Sequence, residues 1–172
     1  MRFGTFFVLL SLSATIMAAY AEEAPLEVIR IAGNSRVEEG AVKVRIRSRV
    51  GRPPDPAVIE QDIRSIYAMG FFEDVQAAIE DVDGKRTLVY KVVERPMIKE
   101  VKVEGNDKID TDDLQAALKV RPHTLLDVEK IQKGIEEAKK LYDQKGYKDA
   151  SITFKTSPPE NGEVVLTFVV DE

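Results

Sequence analysis

The stretch Ile29-Arg30-Ile31-Ala32-Gly33-Asn34 decides the fold, because Val101-Lys102-Val103-Glu104-Gly105-Asn106 repeats its pattern later in the chain. Each stretch alternates apolar and polar side chains, which predicts a strand with one buried face. The Gly-Asn pair that follows tolerates positive φ and predicts a turn. A pattern that returns in this way indicates two copies of one structural unit.

Two further stretches support the duplication. Ile66–Val75 resembles Leu141–Ala150, and Val92-Val93-Glu94 resembles Val169-Val170-Asp171. The spacing between matching stretches grows slightly along the chain, as expected if short loop insertions separate the elements. We therefore predict two domains, the first unit at residues 22–95 and the second unit at residues 96–172.

Two helices are predicted after the first strand of each unit. Apolar residues that recur every four positions predict the first helix, from Val42 through Ile46 to Val50 in one unit and over Leu114 and Leu118 in the other. A wider amphipathic stripe predicts the second helix. That stripe consists of Ile59, Ile63, Ile66 and Tyr67 in the first unit and of Val128, Ile131, Ile135, Ala138 and Tyr142 in the second.

The ends of the second helices also carry recognisable signals. Asp55 and Asp127 are candidate N-caps, and Pro56 suits the first helical position. Gly70 and Gly146 suit the left-handed position at a helix C-terminus.

Each unit then ends in a predicted hairpin. Asp83-Gly84 separates two alternating stretches in the first unit, and the loop Ser157–Gly162 does so in the second. The order in both units is β-α-α-β-β. The predicted fold class is α+β, with each unit a three-stranded mixed sheet covered on one face by two helices.

The N-terminus has the pattern of a secretory signal peptide. The only charge before Glu22 is Arg2, the stretch Phe6–Met17 is apolar apart from Ser and Thr, and Ala19-Tyr20-Ala21 is a small-x-small site. We predict a signal peptide over residues 1–21 and an exported chain. An uncleaved N-terminal anchor is the alternative.

Composition excludes several kinds of chemistry. The 172 residues contain no Cys and a single His, so disulfides, thiolate zinc sites and imidazole clusters are excluded. The net charge of −5 argues against general binding to nucleic acid. His123 is interpreted as a loop residue, and the acidic cluster Asp107, Asp110, Asp112 and Asp113 lacks the spacing of a calcium loop. We predict no catalytic residue, cofactor or metal.

Two clusters keep alternative interpretations. One cluster is a run of five cationic residues, which could contact lipid head groups or an acidic partner. The favoured interpretation is that these residues form the solvated face of a helix. The aromatic set could bind a ligand, but packing of the second helix onto the next strand is favoured. The run is Lys43, Arg45, Arg47, Arg49 and Arg52, and the set is Tyr67, Phe71, Phe72, Tyr142 and Tyr147.

The repeated series resembles the POTRA (polypeptide-transport-associated) domains that precede the barrel of BamA-type outer-membrane assembly proteins. The matching features are the Gly-Asn strand ends, the helix pairs, the stretches Tyr67–Val75 and Tyr142–Tyr147, and the junction Val93-Glu94-Arg95-Pro96. The resemblance implies the first two units of such a protein, with the C-terminal barrel that holds it in the membrane absent. We expect a fragment of a longer protein rather than a stand-alone member.

The resemblance also implies a function. It suggests a non-enzymatic periplasmic scaffold at the outer membrane that receives unfolded outer-membrane proteins, or periplasmic and lipoprotein components of the assembly complex. Sheet edges can accept an added strand through backbone hydrogen bonds, and the family's exposed edge is the second strand. The implied binding residues are Val75, Gln76, Ala77, Ala78, Ile79, Glu80, Ser151, Ile152, Thr153, Phe154 and Lys155.

Two other functions stay open. One is the POTRA pair of a two-partner secretion transporter, which has two units before its barrel. The other is an exported hydrolase with a carboxylate pair, either Glu38 with Glu39 or Asp62 with Glu60. The short junction around Pro96 further predicts that the two units keep a limited range of relative angles.

Overall fold

A computed structural model describes residues 23–172, so the predicted signal peptide lies outside the described residues. Ten elements follow one another in this part of the chain. They are β1 (Val28–Ala32), α1 (Glu39–Lys43), α2 (Pro56–Tyr67), β2 (Phe72–Val82), β3 (Lys85–Glu94), β4 (Met97–Glu104), α3 (Thr111–Leu118), α4 (Val128–Gln144), β5 (Ser151–Thr156) and β6 (Glu163–Asp171).

The strands form two three-stranded sheets with the same topology. The strand order is β1-β3-β2 in the first sheet and β4-β6-β5 in the second. In each sheet the last strand in sequence occupies the centre, parallel to the first strand and antiparallel to the second. The predicted α+β class, with two β-α-α-β-β units and mixed sheets, is confirmed.

Each sheet has its own hydrophobic core on the face that carries the helices. In the first core Ile66 of α2 packs with Leu88 and Tyr90 of the central strand, and all three side chains are almost fully buried. In the second core Tyr142 of α4 packs with Leu166 and Phe168 in the same way. Burial of such large side chains stabilises each unit by about 1.5–3 kcal/mol per side chain.

The predicted helix ends and the first hairpin turn are confirmed. Oδ1 of Asp55 accepts a hydrogen bond of 2.9 Å from the Ala57 amide, and Oδ1 of Asp127 accepts one of 3.2 Å from the Lys130 amide. Asp83 and Gly84 both have positive φ, as a two-residue hairpin turn of type I′ requires.

The glycines of the repeated Gly-Asn pair are required by close packing as well as by backbone conformation. Gly33 has a φ of +90°, and a Cβ added there would lie 2.2 Å from the carbonyl oxygen of Val92. Gly105 has a φ of +83°, and its added Cβ would lie 2.2 Å from the carbonyl oxygen of Val170. The repeat therefore marks a place where the backbone just after the first strand of each unit passes close to the central strand.

The predicted first helix of the first unit is wrong in length. It ends at Lys43, and the next residues form no regular helix. Ile46 is buried as expected, but Val50 is 57% exposed and Val44 80% exposed. The physical reason lies in Asp62, whose carboxylate accepts the amides of Arg47 and Ser48 at 2.6 and 3.0 Å and holds them out of a helical ladder.

The aromatic set divides between core and surface. Phe72 and Tyr142 are fully buried, in line with the packing interpretation. Tyr67, Phe71 and Tyr147 are 49%, 43% and 38% exposed and lie outside the core. Tyr147 nevertheless packs edge-on against Tyr142 of α4, with ring centroids 6.3 Å apart, in line with the packing interpretation. Tyr67 instead lies beneath the Arg95 guanidinium, whose carbon is 6.0 Å from the ring centroid.

Candidate functional site: the open sheet edges

Both stretches of predicted binding residues lie in outer strands. Val75–Glu80 belongs to β2, which pairs on one side with β3 and, among residues 23–172, has no strand on its other side. Ser151–Lys155 belongs to β5, which pairs with β6 and likewise ends its sheet. The two stretches therefore occupy equivalent edges of the two units.

Hydrogen bonds of the central strand reveal which backbone groups of β2 face outward. The Arg86 amide donates to the Glu27 side chain and the Arg86 carbonyl accepts from the Glu27 amide, so both backbone groups of Arg86 point toward the β1 side. In an antiparallel ladder the bonded pairs alternate with unbonded ones. With Asp81 opposite Arg86, the register places the amides and carbonyls of Val75, Ala77 and Ile79 on the open edge.

The same reasoning applies to β5. The Ser157 amide donates to the Val165 carbonyl at 2.9 Å, which makes these two residues a bonded pair at the end of the ladder. Alternation along the register then turns the backbone groups of Ile152 and Phe154 outward. Within residues 23–172, no hydrogen bond reaches the outward backbone groups of Ala77, Ile79, Ile152 or Phe154.

Side chains make the β2 edge a short uncharged stretch between acidic flanks. The residues from Val75 to Ile79 carry no charge, whereas Glu73 and Asp74 precede them and Glu80 and Asp81 follow. Val75 is buried in the core, and Ile79 is 43% exposed at the rim. Glu80 is paired across the ladder with Lys91, at 2.6 Å between Oε1 and Nζ.

The β5 edge differs in charge. Ile152 is buried, Phe154 is partly buried, and Ser151 and Thr153 are exposed. Its one charged side chain is Lys155, whose Nζ lies 3.0 Å from Oε2 of Glu104 on β4. A strand with basic flanks is therefore complementary to β2, whereas the β5 edge imposes no such preference.

The opposite edges, β1 and β4, were missed by the sequence reasoning but are less accessible. On the outer side of β4, the Ile98 amide donates to the Thr124 carbonyl, and the Ile98 carbonyl accepts from the His123 amide. On β1, the Ile31 amide donates to the Glu39 side chain at 3.4 Å. Sequence periodicity does not give the order of strands in a sheet. The strand order of the structure shows that each sheet has two edges, and that the edge formed by β1 or β4 is partly covered.

The candidate hydrolase carboxylates do not converge on a pocket. Asp62 is completely buried, whereas the neighbouring Glu60 is exposed on the surface and pairs with Arg64. Glu39 forms an exposed ion pair with Lys43 at 2.9 Å. Across residues 23–172 no cluster of three or more His, Cys, Asp or Glu side chains is arranged to hold a metal ion.

Comparison with known proteins identifies the class. The family model described as "POTRA: Surface antigen variable number repeat" matches residues 26–95 and again residues 96–172. The chain therefore belongs to the POTRA family.

Individual relatives agree with this assignment. The outer membrane protein assembly factor BamA of Nitratidesulfovibrio vulgaris is 32% identical over 143 residues, which are 83% of this chain and 18% of that protein. The chain thus spans about a fifth of the length of the curated relatives it matches.

Solved structures share the fold. POTRA1-2 of the periplasmic domain of Omp85 from Anabaena superposes with a TM-score of 0.51 at 26% identity, over 84% of this chain and 93% of that one. The N-terminal domain of Omp85 from Thermosynechococcus elongatus gives a TM-score of 0.58 at 24% identity, over 84% of this chain and 61% of that one. In the part of the chain that the structure describes, no helix has the length and apolar character needed to span a membrane.

Proposed function

We propose that this chain is a periplasmic, non-enzymatic scaffold of the machinery that assembles outer-membrane β-barrel proteins. The observation that carries the proposal is the pair of equivalent open edges, in which the backbone groups of Ala77, Ile79, Ile152 and Phe154 face outward. Family membership and the BamA relative support the setting. In this role residues 1–21 direct export, and residues 22–95 and 96–172 act as two binding units.

The chemistry of binding is β-augmentation. An extended segment of an unfolded outer-membrane protein, or of a partner in the assembly complex, adds a fourth strand beside β2 or β5. Backbone hydrogen bonds supply affinity without demanding a particular sequence, which suits a scaffold that meets many clients. Acidic flanks on β2 favour strands with basic ends, so the two edges divide clients by charge.

Substitution at Ile79 tests the proposal, because its amide faces the open edge and its side chain lies outside the centre of the core. Ile79→Pro removes the amide proton, and Ile79→Ser removes the same apolar side chain but keeps that proton. The probe is a ten-residue peptide of alternating Val and Thr with Lys at both ends and a central photo-crosslinker. Circular dichroism establishes that both variants remain folded.

We expect Ile79→Ser to retain most of the crosslinking at β2 and Ile79→Pro to lose most of it. A peptide that is N-methylated on alternate residues cannot donate backbone hydrogen bonds along one of its edges. It should also lose most of its crosslinking to β2 of the wild-type protein. Equal crosslinking of the folded Pro and Ser variants contradicts the proposal.

A further inference from the structure

The two units differ at one buried position, and the difference is chemical. Asp62 and Ala138 occupy the same place relative to Gly70 and Gly146, and both are fully buried. Tyr90 and Phe168 likewise correspond, each lying two residues before the one whose carbonyl faces the repeated glycine. The first unit therefore buries a carboxylate and a phenol where the second unit has only apolar atoms.

This buried carboxylate holds a surface segment in place. Asp62 accepts hydrogen bonds from the amides of Arg47 and Ser48 and from the Tyr90 hydroxyl, the last at 2.7 Å. The segment Val44–Pro54, here called the arginine segment, is fixed further where Gly51 and Arg52 exchange backbone hydrogen bonds of 2.7 and 2.8 Å with Leu26. An irregular segment is thus ordered by a network that the second unit lacks.

The ordered segment presents an unusual surface. Its residues include four arginines and no acidic residue, in a chain whose net charge is −5. Arg45, Arg47 and Arg49 are exposed, whereas Ile46 and Ser48 between them point inward. In the described part of the chain none of the four arginines forms an ion pair with a carboxylate.

A groove runs beside these arginines. It has a volume of about 620 Å³, and its walls are mainly apolar. Its lining includes Leu26, Arg47, Arg52, Pro53, Pro54 and Val58, and also Asp55, whose carboxylate is occupied in capping α2. The exposed side chains of Val44 and Val50 add apolar surface on the same segment.

We propose that the arginine segment and this groove bind an acidic segment of a partner protein, with an apolar side chain of that segment seated in the groove. Arginines that have no carboxylate partner within residues 23–172 can complement several carboxylates of another chain, and guanidinium groups suit bidentate pairing with them. A concave apolar groove fits an inserted side chain of a peptide better than the flat surface of a bilayer. The site is separate from the strand edges and would leave them free for clients.

Fluorescence anisotropy with a defined probe tests this site. The probe is a labelled ten-residue peptide of Glu and Leu, and its matched control carries Lys in place of every Glu. The test variant is Arg45→Glu/Arg47→Glu/Arg52→Glu. The control variant is Lys133→Glu/Lys139→Glu/Lys148→Glu, which makes the same charge change at exposed positions of the second unit.

We expect the test variant to bind the Glu-Leu peptide at least about tenfold more weakly, because three attractions become repulsions. The control variant should change the affinity by less than about twofold, since its lysines lie away from the groove. The Lys-Leu peptide should not bind.

Three outcomes overturn the proposal. One is equal weakening by both variants, which indicates only a net-charge effect. Another is binding of an all-Glu peptide as tight as that of the Glu-Leu peptide, which rules out the groove. The third is loss of binding to vesicles of phosphatidylglycerol in the test variant without any loss of peptide binding, which assigns the surface to lipid. None of these bears on the Ile79 experiment.

Discussion

The hydroxyl group of Tyr90 donates a hydrogen bond of 2.7 Å to Oδ2 of Asp62 in the interior of the first unit. Burial by itself raises the pKa of Asp62, but hydrogen bonds from Ser48 and from the backbone of Arg47 outweigh it and keep the pKa below its ordinary value. The carboxylate is therefore charged and fully bonded although no solvent reaches it. Such a group stabilises the fold only while all its donors are in place.

Asp62→Ala should destabilise the first unit by about 3 kcal/mol, because it leaves the Arg47 and Ser48 amides without an acceptor and leaves the Tyr90 hydroxyl with only Ser48 Oγ, at 3.1 Å. Adding Tyr90→Phe should recover about 1 kcal/mol of that loss, since it removes the buried hydroxyl that has lost its charged acceptor. The double variant reproduces the Ala138 and Phe168 pair of the second unit. Urea denaturation of both single variants and the double variant measures the coupling. If the losses of unfolding free energy in the two single variants add up to the loss in the double variant, Asp62 and Tyr90 are not coupled and the proposed network is contradicted.

Gly33→Ala and Gly105→Ala should each destabilise their own unit by several kcal/mol. Both positions combine positive φ with a carbonyl oxygen 2.2 Å from the added Cβ, and that oxygen belongs to the central strand and cannot move aside. Gly40→Ala is the matched control, because Gly40 lies in α1 with no atom near its added Cβ. It should stabilise the protein by about 0.5–1 kcal/mol. Thermal melts distinguish the expected loss of stability at Gly33 and Gly105 from the expected gain at Gly40. Equal effects at all three positions contradict the close packing inferred for Gly33 and Gly105.

Most of the fold follows from sequence, because the periodic signals and the turn chemistry agree with each other. The stripe over Ile131, Ile135 and Ala138 predicts α4 correctly, since these side chains are buried in the core of the second unit, although Val128 in the first turn is 51% exposed. The first helix of the first unit was mispredicted because Val42, Ile46 and Val50 fit a helical period by coincidence. The deciding residue, Asp62, lies far away in the chain and carries no local sign that it will accept backbone amides.

The candidate site was only partly accessible to sequence reasoning. Strand alternation separates buried Val75 and Ile152 from their neighbours, but it does not say which strand ends the sheet. Which amides face outward depends on the register with β3 and β6, and register is a property of the assembled sheet. The binding role of Val75–Glu80 and Ser151–Lys155 stays a prediction.

Stability should fall in acid through Glu94, at the end of β3. Its carboxylate accepts amide hydrogen bonds of 2.8 Å from Ser35 and Val37, and it pairs with Arg36 at 3.0 Å. Although burial raises the pKa of Glu94, these bonds outweigh it and lower the pKa to about 2.

Because the pKa in the folded state lies below the ordinary value of 4.5, the stabilisation is complete above that pH and is lost as the pH falls toward 2. The loss amounts to about 2–3 kcal/mol. Glu94→Gln should be less stable than wild type at pH 7, and the difference should shrink as the pH falls below 4.5 and vanish only below pH 2. Denaturation midpoints across this range measure the effect. A constant difference between the two proteins over the range contradicts the assignment.

The junction between the units should be stiff, because its residues are bonded on both sides. The Arg95 amide donates to the Phe71 carbonyl at 2.8 Å and its Nε donates to the Phe72 carbonyl at 3.1 Å. On the other side, the Pro96 carbonyl accepts from the Leu126 amide at 2.8 Å. No unbonded residue remains to act as a hinge between these two anchors.

Insertion of Gly-Gly-Ser-Gly between Arg95 and Pro96 should therefore broaden the distribution of distances between the units, since a Gly-rich linker samples many conformations. The same insertion between Asp83 and Gly84, in the turn that precedes β3 and lies at the end of that strand away from the junction, is the control and should leave the distribution unchanged. Small-angle scattering gives the spread, and circular dichroism establishes that each unit stays folded. If wild type already shows the broad distribution of the Arg95–Pro96 insertion, the bonded junction does not restrict the units and the prediction is wrong.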